Sequence, residues 1–171
     1  VRVLAGTPLH VLNPALQRLG LALPNLGDID RQTISGAIAT GTHGTGTRRQ
    51  GIAAAVTGLT LVLADGSTLE CSRDVEPDVF AAAAVGLGAL GVVTEVELAC
   101  VPAYRLHAKE SSEALSDLLP RLQAEADTHD HLDLHWFPHT DRVLVKRNDV
   151  VGAQQGPPPL APWRARLDDD L

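Results

Sequence analysis

Residues 27–46, GDIDRQTISGAIATGTHGTG, decide how the rest of the chain is read. From Thr40 to Gly46 four hydroxyl or imidazole side chains are interspersed with three glycines, directly behind an Ala/Ile/Ser segment long enough for two helical turns. Backbone stripped of side chains admits a close neighbour, and a helix start offers unpaired N–H groups and the positive end of a dipole to an anion. The amides of Ser35, Gly36 and Ala37 and the hydroxyls of Thr33 and Ser35 therefore suit a pyrophosphate. A lone glycine-rich loop also serves simply as a set of tight turns, and both readings stand on these residues. Neither G-x-x-x-x-G-K-[ST] nor G-x-G-x-x-G is present, which disfavours a P-loop kinase and a Rossmann dehydrogenase.

Working outward, VRVLAG alternates as a strand, and Thr7 with Pro8 opens a helix whose apolar stripe is Leu9, Leu12, Leu16 and Leu19. LALPNLGDID reads as a loop by its Pro, Asn and Gly content. Downstream, AVTGLTLVLADGSTLECS predicts a hairpin turning at Asp65-Gly66, and PDVFAAAAVGLGAL is helix-prone. GVVTEVELACV predicts a strand with Val93, Glu95 and Glu97 on one side and Val92, Thr94, Val96 and Leu98 on the other. Beyond Pro102 the character changes. SSEALSDLLPRLQAEAD predicts a helix capped by Ser111 or Ser112, with Leu115, Leu118, Leu119 and Leu122 on one face and a kink at Pro120. HLDLHWF and RVLVKRN flank PHTD as a second hairpin. A boundary near residues 102–110 is expected, and the run GAQQGPPPLAPW is a Pro-rich connector.

The chain has 171 residues, 44% of them hydrophobic, enough for one ordinary core. A net charge of −7 with scattered cations disfavours nucleic acid. No apolar run of membrane-spanning length and no signal-peptide pattern is present, so a cytoplasmic setting is expected and peripheral membrane contact stays open. Cys71 and Cys100 are too few for a disulfide framework or a four-thiolate zinc site and are expected as buried thiols. The absence of Met, even at position 1, is the mark expected of a piece of something longer.

His131, Asp133 and His135 fall on one side of a strand, a face that two imidazoles and a carboxylate could turn into a metal site. Leu132, Leu134 and Trp136 occupy the other side, the pattern of any half-buried strand, and no metal is expected. RVLVKRND places Lys146 and Arg147 on opposite sides of a strand expected at a solvated sheet edge.

The segment from Ala5 to Gly46, with GALGVVTEVEL at 88–98 and HWFPHTDRVLVKRN at 135–148, is similar in motif order to the sugar-1,4-lactone oxidases, the D-arabinono- and L-gulono-lactone oxidase group of the vanillyl-alcohol oxidase superfamily. Alditol oxidases are a second resemblance. The likeness implies an α+β fold comprising the second half of a two-subdomain, PCMH-type FAD-binding domain and the start of a substrate or cap domain. Residues 1–105 would be the partial FAD-binding domain, 106–155 the start of the substrate domain and 156–171 the Pro-rich tail. In the family the segment matching Asp28, Thr33, Ser35 and Gly36 lies along the FAD pyrophosphate and ribityl chain. The segment matching Thr40, Gly41, Thr42 and His43 continues toward the flavin ring, which the backbone of Gly91, Val92 and Val93 contacts.

The resemblance implies an FAD-dependent enzyme that takes hydride from a CH–OH group of a sugar lactone or polyol and passes electrons to oxygen or another acceptor. Lys146 or Arg147 would meet a substrate oxygen. The histidine that holds FAD covalently in many relatives belongs to an upstream Gly-His-Ser motif absent from this chain, so His43 is expected as a cofactor contact. Groups that activate the substrate hydroxyl lie in a C-terminal region of the family, and no catalytic base is assigned. A truncated, non-catalytic remnant of such an enzyme is the alternative.

Overall fold

The computed structural model describes residues 1–151, built of helices and antiparallel sheets. The alternation of VRVLAG yields β1 (Arg2–Leu4), which pairs with β5 (Val92–Leu98). β5 pairs with β3 (Val56–Val62), and β3 turns back at Asp65-Gly66 into β4 (Thr68–Ser72), giving the order β1-β5-β3-β4. Gly66 takes φ +83° there, and the Ser67 N–H donates to the Asp65 carboxylate at 2.9 Å, the side-chain chemistry that makes Asp-Gly a turn.

Two helices supply the other half of this core. α1 (Leu9–Arg18) buries Leu9, Leu12 and Leu16, and α2 (Ile34–Ala39) buries Ile34, Ala37 and Ile38, together with Leu59, Leu61, Val96 and Leu98 of the sheet. Each buried Leu or Ile contributes about 2 kcal/mol, so packing holds a six-residue helix that would not persist in isolation. α1 starts one residue later than expected. Pro8, not Thr7, is the N-cap, because Pro8 is held extended by a bridge to Thr33 while the Thr7 carbonyl accepts from the Ile34 N–H. The stretch expected as a loop after α1 opens with β2 (Leu21–Ala22), paired with β6 (Val101–Pro102). Two residues carry too little alternation to be seen as a strand. α3 (Pro77–Ala83) covers the sheet with Phe80 and Ala83.

The faces of β5 differ from expectation at its start. Thr60 pairs with Glu95 but Leu61 pairs with Val93, so Thr94 is an extra residue, and its hydroxyl donates to the Thr60 carbonyl at 3.2 Å. A bulge of this kind reverses inside and outside beyond it. Val92, expected beside Val96 and Leu98, is 68% exposed, and Val93 packs on the core.

After Pro102 the chain enters a second sheet, β7-β9-β8, formed by β7 (Arg105–Ala114), β8 (His131–Trp136) and β9 (Arg142–Val151). Ser111 and Ser112, expected to cap a helix, are residues of β7. α4 (Leu115–Leu118) starts later, where the Asp141 carboxylate accepts from the Ser116 N–H at 3.0 Å and hydroxyl at 2.8 Å. Pro120 interrupts the helical pattern as its missing N–H requires: a 3-10 turn, Leu119–Arg121, separates α4 from α5 (Leu122–Thr128). Of the four expected face leucines, Leu118 alone is fully buried, packed with Val143 and Val145.

RVLVKRN, expected at a solvated edge, is in the central strand of this sheet. Central position explains the burial of Arg147. On the helix-covered face its Nε donates to Glu125 at 2.6 Å and its Nη1 to Glu113 and Ser111, each at 2.9 Å. The Ser111 hydroxyl and then Arg147 pull the Glu113 carboxyl down to about 2. Residues 156–171, expected as the tail, lie outside the described residues. Among the described residues no helix is long and apolar enough to cross a membrane.

Candidate functional site at the junction of the sheets

The glycine stretch quoted above is the seam between the two sheets. Past His43 it runs against the C-terminal end of α5: Thr47 Oγ1 donates to the Ala126 carbonyl at 3.3 Å and Arg48 Nη1 to the Asp127 carbonyl at 3.1 Å. Arg49 donates to Asp130 Oδ1 at 3.2 Å and to the Pro24 carbonyl at 3.2 Å, and Asp130 Oδ2 in turn accepts from the Val150 N–H at 2.9 Å. That N–H, with Arg49 beside it, holds the Asp130 carboxyl below its ordinary range. Buried Asn25 ties the inner loops together, donating to the Gln50 carbonyl at 3.1 Å and accepting from the Leu26 N–H at 3.0 Å.

What approaches the glycines so closely is the protein itself. A Cβ on Gly44 would lie 2.1 Å from the Leu26 carbonyl oxygen, and one on Gly46, at φ +109°, would lie 2.4 Å from that of Asp130. Gly91, at φ +152°, sits against the Val62 carbonyl, 2.6 Å from its would-be Cβ. The amides expected to face a pyrophosphate at the start of α2 also have partners within the protein. The Ser35 N–H donates to the Ala5 carbonyl at 3.1 Å, the Gly36 N–H to Thr33 Oγ1 at 3.1 Å and the Ala37 N–H to the Thr33 carbonyl at 2.9 Å, so all three amides are engaged within the fold. Thr40 and Thr42 also spend their hydroxyls internally, on the Gly36 carbonyl and the Gln32 side chain. Gly41 closes α2 at φ +69°.

Beside the seam lies a cavity of about 860 Å³, walled by loop residues 25–28 and 43–45 on one side and by the polar face of the second sheet on the other. Asp28, His43 and Lys146, all expected at a site, line it. Arg147 does not: it points to the opposite face, where Nε and Nη1 are held by two carboxylates and a hydroxyl, so its expected substrate contact is corrected. Among the described residues the His43 side chain makes no bond beyond its own loop, its Nδ1 lying 2.9 Å from the Gly44 carbonyl. The face of His131, Asp133 and His135, read from sequence as polar, forms the far wall. Among the described residues no three His, Cys, Asp or Glu groups are gathered as a metal site.

Sequence reasoning missed Asn25, Tyr104, Arg105 and Asn148 on this cavity. Asn148 was within reach, two residues from Lys146 on the same side of a strand. Tyr104 carries no such signal; its hydroxyl donates to the Leu23 carbonyl at 3.2 Å, and burial pushes its ionisation up.

The cavity and the α2 start differ in their fitness for FAD. With its amides engaged, the α2 start does not present a free cradle for a diphosphate. The cavity falls in the range of small-molecule pockets, about 300–1,000 Å³. Three buried polar atoms lack partners among the described residues, Arg105 Nη1, His131 Nε2 and Asn148 Oδ1, and all three belong to residues of its wall. The polar side chains of Asp28, His43, Asp133, His135 and Lys146 on its walls suit a polar ligand.

Comparison with known proteins follows the same division. Residues 1–72 match the FAD binding domain model, which indicates FAD as the cofactor, and residues 96–170 match the D-arabinono-1,4-lactone oxidase model. An L-gulonolactone oxidase of Scyliorhinus torazame is 41% identical over 141 residues, covering 82% of this chain and 32% of that protein. An L-gulono-1,4-lactone dehydrogenase of Mycobacterium tuberculosis is 38% identical over 171 residues, covering all of this chain and 39% of that protein. The chain thus spans between 32% and 39% of the length of these relatives. The crystal structure of cholesterol oxidase from Brevibacterium sterolicum superposes with a TM-score of 0.80 at 21% identity, over 94% of this chain and 33% of that one, a likeness of fold to a PCMH-type FAD-binding domain. An FAD binding segment followed by a D-arabinono-1,4-lactone oxidase segment makes the chain similar, along most of its length, to the sugar-1,4-lactone oxidases.

Proposed function

We propose that the chain is part of an FAD-dependent oxidoreductase that oxidises a CH–OH group of a sugar-1,4-lactone or polyol and passes the electrons to oxygen or another acceptor. The observation that carries this is the composition of the cavity: one wall comes from the segment matching an FAD binding domain, the other from the segment matching a lactone oxidase. When bound, FAD supplies hydride acceptance and release of electrons to the acceptor. The chain's own share is placement. Loop residues 25–28, with Asp28, and residues 43–45, with His43, would hold the cofactor on the first wall. Lys146, Asp133 and His135 would address substrate oxygens from the second. Leu21, Leu23 and Leu106 keep part of the cavity dry, which strengthens each polar contact made inside it.

Thr40, Gly41 and the backbone of Gly91, Val92 and Val93 belong to the same proposal as contacts outside the cavity. We assign residues 1–105 to the cofactor part and 106–155 to the substrate part, and retain a cytoplasmic setting for the parent protein. Steady-state turnover tests the function. The whole protein of which the chain is part, saturated with FAD, is given an aldonolactone, a polyol or a steroid together with a redox dye. Dye reduction with the lactone or polyol supports the proposal; reduction with the steroid alone, or with none of the three, refutes it.

A further inference from the structure

Both walls of the cavity are held from behind by one side chain that does not line it. Arg49 follows the glycine stretch, and its side chain is 24% exposed. Its Nη1 donates to the Pro24 carbonyl at 3.2 Å, one residue before Asn25 of the first wall. Its Nη2 donates to Asp130 Oδ1 at 3.2 Å, one residue before His131 of the second. The Asp130 carboxylate passes the hold on to β9, because Oδ2 accepts from the Val150 N–H at 2.9 Å. The inner loop is held in turn: the Tyr104 hydroxyl donates to the Leu23 carbonyl at 3.2 Å, and Asn25 donates to the Gln50 carbonyl at 3.1 Å. Gly46 makes room for this arrangement, since a Cβ there would lie 2.4 Å from the Asp130 carbonyl oxygen and 2.8 Å from Arg49 Cγ.

A planar guanidinium that donates through two nitrogens fixes both the distance and the angle between its acceptors, which a single ammonium cannot do. Here one acceptor lies in the segment matching an FAD binding domain and the other in the segment matching a lactone oxidase. A displacement of about 1 Å between reacting partners slows a reaction by up to about a hundredfold. We infer that Arg49 is a positioning residue: through Pro24 and Asp130 it sets the spacing between the cofactor wall and the substrate wall, and so the rate at which a bound lactone or polyol gives up hydride. The inference rests on the oxidation proposed above and goes further by naming the residue that fixes the geometry between its two partners.

The test uses the whole protein of which the chain is part, with FAD bound, and L-gulono-1,4-lactone as the probe. Anaerobic stopped flow gives the flavin reduction rate at saturating lactone and the lactone Kd as separate quantities, and hydrogen exchange reports on the two walls themselves. In Arg49→Gln and in Arg49→Lys the saturated rate is expected to fall by about tenfold to a hundredfold, with the lactone Kd changed by less than about threefold and the flavin content unchanged. Amides of residues 23–28 and 129–136 are expected to exchange faster in both variants. Arg48 is the control, because its Nη1 holds the Asp127 carbonyl and among the described residues it has no bond to the inner loop. Arg48→Gln is expected to keep the saturated rate within about twofold, as suits an exposed cation.

Arg49 variants that fold and reduce the flavin at the wild-type rate overturn the inference. A loss confined to the lactone Kd, the mark of binding, does the same, as does an equal loss in Arg48→Gln, the mark of charge alone. Where Arg49→Gln fails to fold, Arg49→Lys decides; failure of both is the mark of a purely scaffolding residue and also overturns the role. A wild type that no lactone or polyol bleaches counts against the oxidation, and exchange then judges Arg49 by itself. Faster exchange on both walls upholds its hold on them, and unchanged exchange on either overturns it.

Discussion

Replacing Arg147 by Met removes the guanidinium at the centre of the second sheet while keeping most of the side-chain stem. Arg147 is 8% exposed, with Nε 2.6 Å from Glu125 and Nη1 2.9 Å from Glu113, and those carboxylates are themselves mostly covered. Removing one partner of a buried ion pair costs about 3–5 kcal/mol. Arg121 also contacts both Glu113 and Glu125 and stays in place, and the carboxylates keep some access to solvent, so about 2–3 kcal/mol is expected here. The loss depends on pH. The Ser111 hydroxyl and Arg147 hold the Glu113 carboxyl at about 2 against an ordinary 4.5. A depressed carboxylate contributes stability that is fully present above the unfolded value and disappears as pH falls through the folded one. The gap between wild type and Arg147→Met should therefore be full near neutrality and shrink as pH falls from 4.5 towards 2. Urea unfolding followed by far-UV circular dichroism, with the slope checked for constancy, measures it. Lys146→Met, one residue away but on the cavity face, should cost less than about 0.5 kcal/mol. An Arg147→Met stability within that same margin, or a gap equal at acid and neutral pH, would refute the burial and pairing assigned to Arg147.

Gly44→Ala should destabilise by about 2–4 kcal/mol, because the new Cβ meets the backbone of the neighbouring loop and one segment must move; a urea midpoint unchanged from wild type contradicts the close approach of Leu26. The bulge at Thr94 is tested by a pair of variants. Val93→Asp should cost about 3 kcal/mol by burying a carboxylate beside the core, whereas Val92→Asp, on the exposed side, should cost less than about 0.5 kcal/mol. The opposite ranking would restore unbroken alternation in β5.

Strong local patterns carried well from sequence to structure. Leu9, Leu12 and Leu16 of α1, the Asp65-Gly66 hairpin and the break at Pro120 each have a cause within a few residues, and each is found where that cause puts it, whereas Leu19, expected on the same stripe, is the C-cap and exposed. The failures share another origin. The Thr94 bulge, the central position of β9 and the strand at Ser111–Ser112 depend on pairing partners tens of residues away, which periodicity in one segment cannot report. At the cavity, Asp28, His43 and Lys146 stand among residues whose types and motif order pointed to a site. The role of the glycines was legible only in three dimensions. Their spacing is equally consistent with a ligand and with a second loop passing close by, and for Gly44 and Gly46 it is the carbonyls of Leu26 and Asp130 that require them. Helix starts mislead in the same way: free amides are assumed in the sequence, whereas here Ala5 and Thr33 have already taken them.

Single turnover without oxygen tests the central claim most directly. The whole protein of which the chain is part is loaded with FAD, freed of excess cofactor and mixed anaerobically with an aldonolactone while the yellow flavin absorption is followed. Loss of the band on adding lactone, and its return when oxygen or a dye acceptor is admitted, is the predicted result. A protein that retains FAD but keeps its full absorption in saturating lactone and in polyol alike, or that retains no FAD at all, would contradict it.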